Sequence, residues 1–233
     1  MENRTQEIID ALQTFDKQYS ESRNKVKIEY EKNESELHHA FRKTIDGLLI
    51  LVMEHLAGMH NEITEKFHYQ LNLAISYFRT HFVIDKLILE GDLIEAYTLI
   101  RKQLEKTTRL NELDNKSVEK LSGKTPNVIN FFGEAGKEIY PELSEVAHFG
   151  HPRVSELLSF ETKNGDRGPS FFPSYKEMAT ICYDRNAFVS LHFASWLIDF
   201  AKEINPNYDN RKDIDTFLML EQMALDCNII RKK

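Results

Sequence analysis

Apolar residues recur at steps of three and four along most of this chain, and this periodicity is the strongest constraint on its fold. It continues through residues 36–60, 61–89, 175–204 and about 213–230, and it predicts an all-α helical bundle. Residues 4–35 form the most regular stretch, with no proline, and their spacing is close to a heptad. We expect a long amphipathic helix there, lying along a core or another subunit; its apolar positions are Ile8, Leu12, Phe15, Tyr19, Val26 and Tyr30.

Residues 157–174 form the one stretch with a convincing non-helical pattern. Leu158 to Thr162 alternate in polarity, Asn164-Gly165 is a turn signal, and Pro169 to Pro173 favour extended backbone. We predict a small β-hairpin or an ordered loop near residues 157–174.

Local signals also predict where several helices begin. Asp92 with Glu95 resembles a capping box that opens a helix reaching about Leu110. Thr125-Pro126 reads as a cap followed by a proline at the first helical position. Tyr140-Pro141 is predicted to start a further short helix, which ends by Gly150.

The domain organisation follows from the same pattern. Residues 1–60 are interpreted as an N-terminal amphipathic helical hairpin or extension, and residues 61–233 as the helical bundle domain. The polar segment 111–125 is the best internal boundary, but both sides look like parts of one bundle, so one continuous domain is expected.

Charge and composition exclude some classes of function. The 233 residues carry a net charge of −7, which disfavours nucleic-acid binding over a broad surface. Two cysteines, Cys182 and Cys227, make neither a disulfide framework nor a zinc site, so a reducing compartment is expected. No apolar run is long enough for a membrane span and no signal peptide is recognisable, so we expect a cytoplasmic protein without cofactor or metal.

Two polar sets lie at helical spacing within apolar surroundings. Arg101, Glu105 and Arg109 follow one another at four-residue steps, and Ser144 is four residues before His148. Such side chains share a helix face, so we interpret Arg101, Glu105, Ser144 and His148 as a candidate ligand-binding set. The structural alternatives are an exposed ion-pair ladder for the first set and an imidazole bonded to a backbone carbonyl for the second.

The remaining histidines offer weaker patterns. His148 and His151 have a spacing that suits a metal, but a third ligand is missing. Arg185-Asn186-x5-His192 places an arginine and a histidine on one helix face, where a core histidine packed against Trp196 is the alternative. The neighbouring His38-His39 pair is expected to be solvated.

The order of these elements resembles the HEPN superfamily over about residues 70–200. The resemblance is carried by Arg101 and Glu105 on a long helix, then Leu143 to His148 on a short one, then a hairpin and closing helices. It implies a bacterial all-helical domain, either a metal-independent ribonuclease of a toxin or phage-defence system or a non-catalytic binding protein. The family signature is an arginine, four to six residues and a histidine, which Arg185 and His192 satisfy; the candidate catalytic residues are therefore His148, Arg185 and His192.

Two functional hypotheses follow. The first is a non-enzymatic module that binds a protein partner or a small ligand and forms a homodimer through its N-terminal helices, because an amphipathic stripe needs a covering surface. The alternative is the HEPN-like ribonuclease, with His192 or His148 as general base and Arg185 or Arg101 steadying phosphate charge. The acidic net charge makes RNA the less favoured partner.

Overall fold

The computed structural model describes residues 2–57, 64–150, 152–161, 165 and 167–231. They form the predicted all-α bundle with one small hairpin. The α-helices are α1 (Glu2–Asn33), α2 (Glu36–Glu54), α3 (Glu65–Glu90), α4 (Leu93–Asn115), α5 (Val118–Leu121), α6 (Val128–Ala147), α7 (Met178–Ile204) and α8 (Arg211–Asp226).

The predicted hairpin is confirmed. A 3₁₀ helix, Pro152–Leu158, leads into β1 (Ser159–Glu161), which pairs antiparallel with β2 (Arg167–Pro169) so that Phe160 lies opposite Gly168. Asn164 of the predicted turn lies outside the described residues. Gly165 has a φ of 86°, a left-handed conformation that glycine adopts without strain.

The core is built around α7 and α4. Helix α7 packs against α2, α3, α4 and α8, and α4 packs against α3 and α6. Tyr77 of α3 stacks on Phe193 of α7 with ring centroids 3.7 Å apart, and both are fully buried. Phe41 and Leu49 of α2 belong to the same apolar cluster. Among the described residues, no helix combines the length and apolar character that crossing a membrane requires.

Helix α4 begins at Leu93 with Asp92 as its N-cap, as predicted, but without the predicted capping bond; the predicted start of α6 is wrong. Asp92 makes no capping hydrogen bond, because its carboxylate pairs with Arg23 of α1 instead. Thr125 is not the cap of α6; Asn127 is, and its side chain accepts a hydrogen bond from the Asn130 N–H. The Asp92 side chain does not cap because it has a stronger partner, and Thr125 does not cap because it lies two residues before the cap position.

The predicted helix start at Tyr140-Pro141 is also wrong. Pro141 lies inside α6, and the backbone break falls earlier, at Gly133, with φ 60° and ψ −131°. A proline within a helix leaves one carbonyl of the preceding turn without its N–H partner. The helix tolerates this, and the result is that Tyr140, Ser144 and His148 share a continuous helical segment.

Polar contacts hold α1 against the corner between α3 and α4. Arg23 forms ion pairs with Glu90, at 2.9 Å, and with Asp92. Ser22 Oγ donates a hydrogen bond to the Pro173 carbonyl at 2.7 Å. Residues 4–18 are exposed, so the first part of α1 is largely uncovered by the bundle.

Gly91 makes the close approach of α1 possible. It ends α3 in a left-handed conformation, with φ 87°, and its N–H and that of Asp92 bond back to the carbonyls of Ile88 and Leu87. A Cβ at this position would lie 2.9 Å from Cγ1 of Val26. The corner therefore requires glycine for both its backbone conformation and its contact with α1.

We expect Gly91→Ala to lower the free energy of unfolding by about 1–3 kcal/mol, because alanine adds left-handed strain and a clash with Val26. Urea denaturation measures the change. Gly47→Ala in α2 is the matched control, since no atom beyond its own stretch of helix lies within 4 Å of its added Cβ, and it should leave stability equal or higher. Equal stability of the Gly91→Ala variant and the wild type would contradict this account of the corner.

Candidate functional site

The structure brings Arg101 and His148 into direct contact. Arg101 Nη1 lies 2.7 Å from His148 Nε2. A guanidinium has no acceptor, so Nε2 accepts and the neutral ring carries its proton on Nδ1. His148 is the exposed C-terminal cap of α6, and α4 supplies Arg101, so the contact joins the two helices.

Tyr140 and Glu105 complete this cluster. Arg101 Nη2 donates to the Tyr140 hydroxyl at 3.2 Å, and that hydroxyl donates to Glu105 Oε1 at 2.9 Å. Arg101 Nε lies 3.4 Å from the same oxygen, an ion pair rather than a hydrogen bond. The guanidinium also lies over the Tyr140 ring, 5.3 Å from its centroid. About a quarter of each of the Arg101 and Glu105 side chains is exposed, so both remain accessible to a ligand.

Two members of the predicted sets are directed elsewhere. Ser144 Oγ donates to the Tyr140 carbonyl one turn earlier in α6, at 2.7 Å, and its described contacts do not include Arg101. Arg109 is buried and donates to the backbone carbonyls of Leu121 and Lys124, which fixes the segment after α5. Sequence analysis missed Tyr140 as a member, although it lies eight residues before His148 on the same face.

Arg185 and His192 occupy different surroundings on α7. Arg185 pairs with Glu142 of α6 through Nε at 3.0 Å and Nη2 at 2.9 Å. His192 Nδ1 donates to the Phe188 carbonyl at 2.9 Å, and its ring packs against Phe132 and Phe188. Seven residues of helix separate the two by about 10 Å along the axis. His151, the partner in the predicted two-histidine metal pair, lies outside the described residues.

A cleft of about 1340 Å³ lies beside the Arg101 cluster. Tyr97, one turn before Arg101 on α4, lines it, as do Glu142 and Glu145, shortly before His148 on α6. The Tyr97 hydroxyl is buried without a hydrogen-bond partner, and burial raises the pKa of this phenol. The lining also includes Glu156, Lys176 and Glu177, so carboxylates predominate and the cleft favours a cationic or hydrogen-bonding ligand.

A second polar cluster, which sequence analysis missed, is buried between α2, α3 and α7. His81 Nε2 donates to Asp46 Oδ1 at 2.8 Å and lies 3.7 Å from Asp85 Oδ2. Asn186 Nδ2 donates to Asp85 Oδ1 at 2.8 Å, and Ser190 Oγ lies 3.2 Å from His81 Nδ1. Burial raises the pKa of Asp85 to about 6. Burial opposes charging of His81, but Asp85 and Asp46 raise its pKa on balance.

Further charged groups join the end of α1 to α2 and α7. Arg42 is buried and donates twice to Glu34, through Nε and Nη2, both at 2.8 Å. The prediction that His38 is solvated is wrong, because its Nε2 donates to Asp184 Oδ1 at 3.2 Å and the ring is largely covered. The His38–Asp184 contact joins residues 146 positions apart, so helical spacing gives no signal for it.

His38 is expected to make stability depend on pH. Its hydrogen bond to Asp184 raises its pKa above the usual 6.5 despite partial burial. This stabilising contribution is complete below pH 6.5 and is lost as pH rises through the folded-state pKa. The difference in free energy of unfolding between the wild type and Asp184→Asn should thus be larger at pH 6 than at pH 9, by less than about 1 kcal/mol.

Urea denaturation at the two pH values measures this difference. Asp10→Asn is the control, because Asp10 is exposed and its carboxylate accepts from Gln6 rather than from a histidine. Its effect should be the same at both pH values. A pH-independent effect of Asp184→Asn would contradict the assignment.

Comparisons with protein-family models, curated proteins and solved structures gave no match to this chain.

Proposed function

We propose that the protein is a non-enzymatic binding module that forms a homodimer through α1. The observation that carries this proposal is an apolar stripe left uncovered along the first part of that helix. Ile8 and Leu12 are each 58% exposed and Phe15 is 42% exposed. Apolar side chains of this size in a row on an ordered helix are typical of a helix-pairing surface.

The stripe continues the pattern that binds α1 to the bundle. Val26 and Tyr30, further along the helix, are buried in the core. Ile8, Leu12, Phe15 and Tyr19 precede them at heptad-like steps, and of these Ile8, Leu12 and Phe15 are exposed. The same apolar pattern therefore forms two surfaces of α1. One is buried against the bundle, and the other is exposed and requires another molecule to cover it.

A second copy of the chain suits this surface because the stripe is self-complementary. In an antiparallel two-fold pairing centred between Leu12 and Phe15, Leu12 of each copy lies against Phe15 of the other. The same operation places Ile8 against Tyr19. Each copy contributes the same patch to such an interface, as expected for a two-fold dimer. Phe15 already stacks on Tyr19, with ring centroids 5.6 Å apart, and contacts Phe172 in a tilted arrangement at 5.4 Å, so part of the pairing surface is preorganised.

We expect Leu12→Asp to convert the dimer to a monomer, because a carboxylate at the centre of the apolar seam would be desolvated without a partner. Light scattering coupled to size exclusion measures the mass, which should fall from roughly twice the 27.3 kDa chain to that value. Leu51→Asp is the matched control, since Leu51 is 55% exposed on α2. A wild-type monomer at high concentration would overturn the proposal.

A metal-independent ribonuclease is the second candidate function, favoured by the contact between Arg101 and His148. An RNA phosphate that replaced His148 as the acceptor of Arg101 would free Nε2 of the imidazole. That nitrogen would then take the proton of the ribose 2′-hydroxyl as its oxygen attacks phosphorus, while Arg101 steadies the developing charge. The 5′-oxygen would leave and take a proton from solvent, and a 2′,3′-cyclic phosphate would result.

Cleavage of single-stranded RNA in the presence of EDTA tests this candidate. We expect His148→Ala and Arg101→Ala each to lower the rate by about 100-fold or more. His68→Ala is the control, because His68 is exposed on α3 and contacts Asn72 rather than the cluster. A loss in His192→Ala with full activity in His148→Ala would assign the base to His192 instead. Equal rates in all variants would show that a contaminant is responsible.

A further inference from the structure

The cluster of Asp46, His81 and Asp85 presents three metal-ligand atoms toward one another. One atom from each side chain can be chosen so that all three lie within 4.8 Å of one another. Ligands of a tetrahedral ion with bonds of about 2.0–2.1 Å are separated by about 3.3 Å. The distances from His81 Nε2 to Asp46 Oδ1, 2.8 Å, and to Asp85 Oδ2, 3.7 Å, lie on either side of that value.

An unsatisfied oxygen shows that the cluster is not complete on its own. Asp85 is 7% exposed, and its Oδ2 is buried with no hydrogen-bond partner. The amide oxygen of Asn186, on the residue that bonds the other Asp85 oxygen, is also buried and unpartnered. A buried carboxylate oxygen beside the Asp46 carboxylate requires a cation or a proton, because an unpaired buried acceptor is strongly unfavourable.

Neighbouring groups already orient the three side chains as ligands. Asn186 holds one oxygen of Asp85, which leaves the other directed into the cluster. Ser190 Oγ lies 3.2 Å from Nδ1 of His81 and can accept a hydrogen bond from it. A proton held on Nδ1 leaves Nε2 with a lone pair that can bind a metal ion. Tyr77 in turn lies 3.2 Å from Ser190. A hydrogen bond on the far side of each ligand is the usual arrangement around protein-bound metals.

We propose that Asp46, His81 and Asp85 form a binding site for a divalent transition-metal ion such as Zn²⁺. Two carboxylates and a neutral imidazole balance the charge of a dication. A bound dication therefore offsets the free-energy cost of burying two negative carboxylates. The imidazole nitrogen favours Zn²⁺ over Mg²⁺ or Ca²⁺. Asp46 is 19% exposed and offers an entry path, whereas His81 is only 1% exposed.

The site would connect helices that are distant in sequence. Asp46 lies on α2, the other two ligands lie on α3 one turn apart, and α7 supplies Asn186 and Ser190. A metal enclosed in this way acts as a structural cross-link within the bundle. This role is separate from the dimer surface of α1 and from the Arg101 cluster, so the three can be tested independently.

Titration of the EDTA-treated full chain with Zn²⁺ in a calorimeter tests the proposal. We expect one equivalent to bind per chain and the melting temperature to rise with added Zn²⁺. Mg²⁺ at the same concentration should do neither. Absence of saturable Zn²⁺ binding, or equal binding of Mg²⁺, would overturn the assignment.

Ligand variants locate the bound ion. Asp85→Asn and Asp46→Ala should each weaken Zn²⁺ binding by about 100-fold or more. Asp85→Asn removes a desolvated charge at constant shape, and Asp46→Ala alters a partly exposed side chain, so both variants should stay folded by circular dichroism. Asp184→Asn is the control, because Asp184 is the only carboxylate described against His38 in its pair and is not one of the proposed ligands. This variant should bind Zn²⁺ as the wild type does. Wild-type affinity in both ligand variants would show that the ion binds elsewhere and would overturn the proposal.

Discussion

Asn186 and Ser190 lie on the most buried face of α7, where neither side chain reaches water. A buried amide or hydroxyl without a partner costs about 1–3 kcal/mol, so their hydrogen bonds restrict how the neighbouring helices can pack. Asn186 bonds to Asp85, and Ser190 contacts Tyr77 and His81, all on α3. A slide of α3 by one turn would break every one of these contacts. The link from His81 to Asp46 extends the same restriction to α2.

The sequence predicts what depends on local spacing. Helical periodicity is a property of neighbouring residues, so the all-α fold, the long first helix and the hairpin were predictable. Arg101 and Glu105 share a face of α4 because four residues nearly complete one turn. That Arg101 meets His148 was only a hypothesis, because it depends on which helix packs against α4. The buried cluster had no local signal, since Asp46 and His81 are 35 residues apart.

The errors at helix boundaries have the same origin. Asp92 is the N-cap residue of α4, as its sequence context predicts, but its carboxylate pairs with Arg23 of a distant helix instead of a backbone N–H. Pro141 has the context of a helix start, but Gly133 takes the break and leaves the proline inside the helix. A local preference of about 1 kcal/mol gives way whenever a tertiary contact supplies more.

The charges around the Arg101 cluster distinguish between the two candidate functions. The positive charge of Arg101 is offset by Glu105 at 3.4 Å, and the adjacent cleft is lined by Glu142, Glu145, Glu156 and Glu177. Arg185 is already paired with Glu142, and Lys176 in the lining donates to the Ser159 carbonyl. A polyanion that followed the cleft to Arg101 would pass these carboxylates and be repelled. An RNA strand would therefore have to reach Arg101 from the exposed His148 side, with few phosphate contacts and strong sensitivity to salt. A cationic or neutral ligand meets no such barrier, and this difference favours a binding module over a ribonuclease.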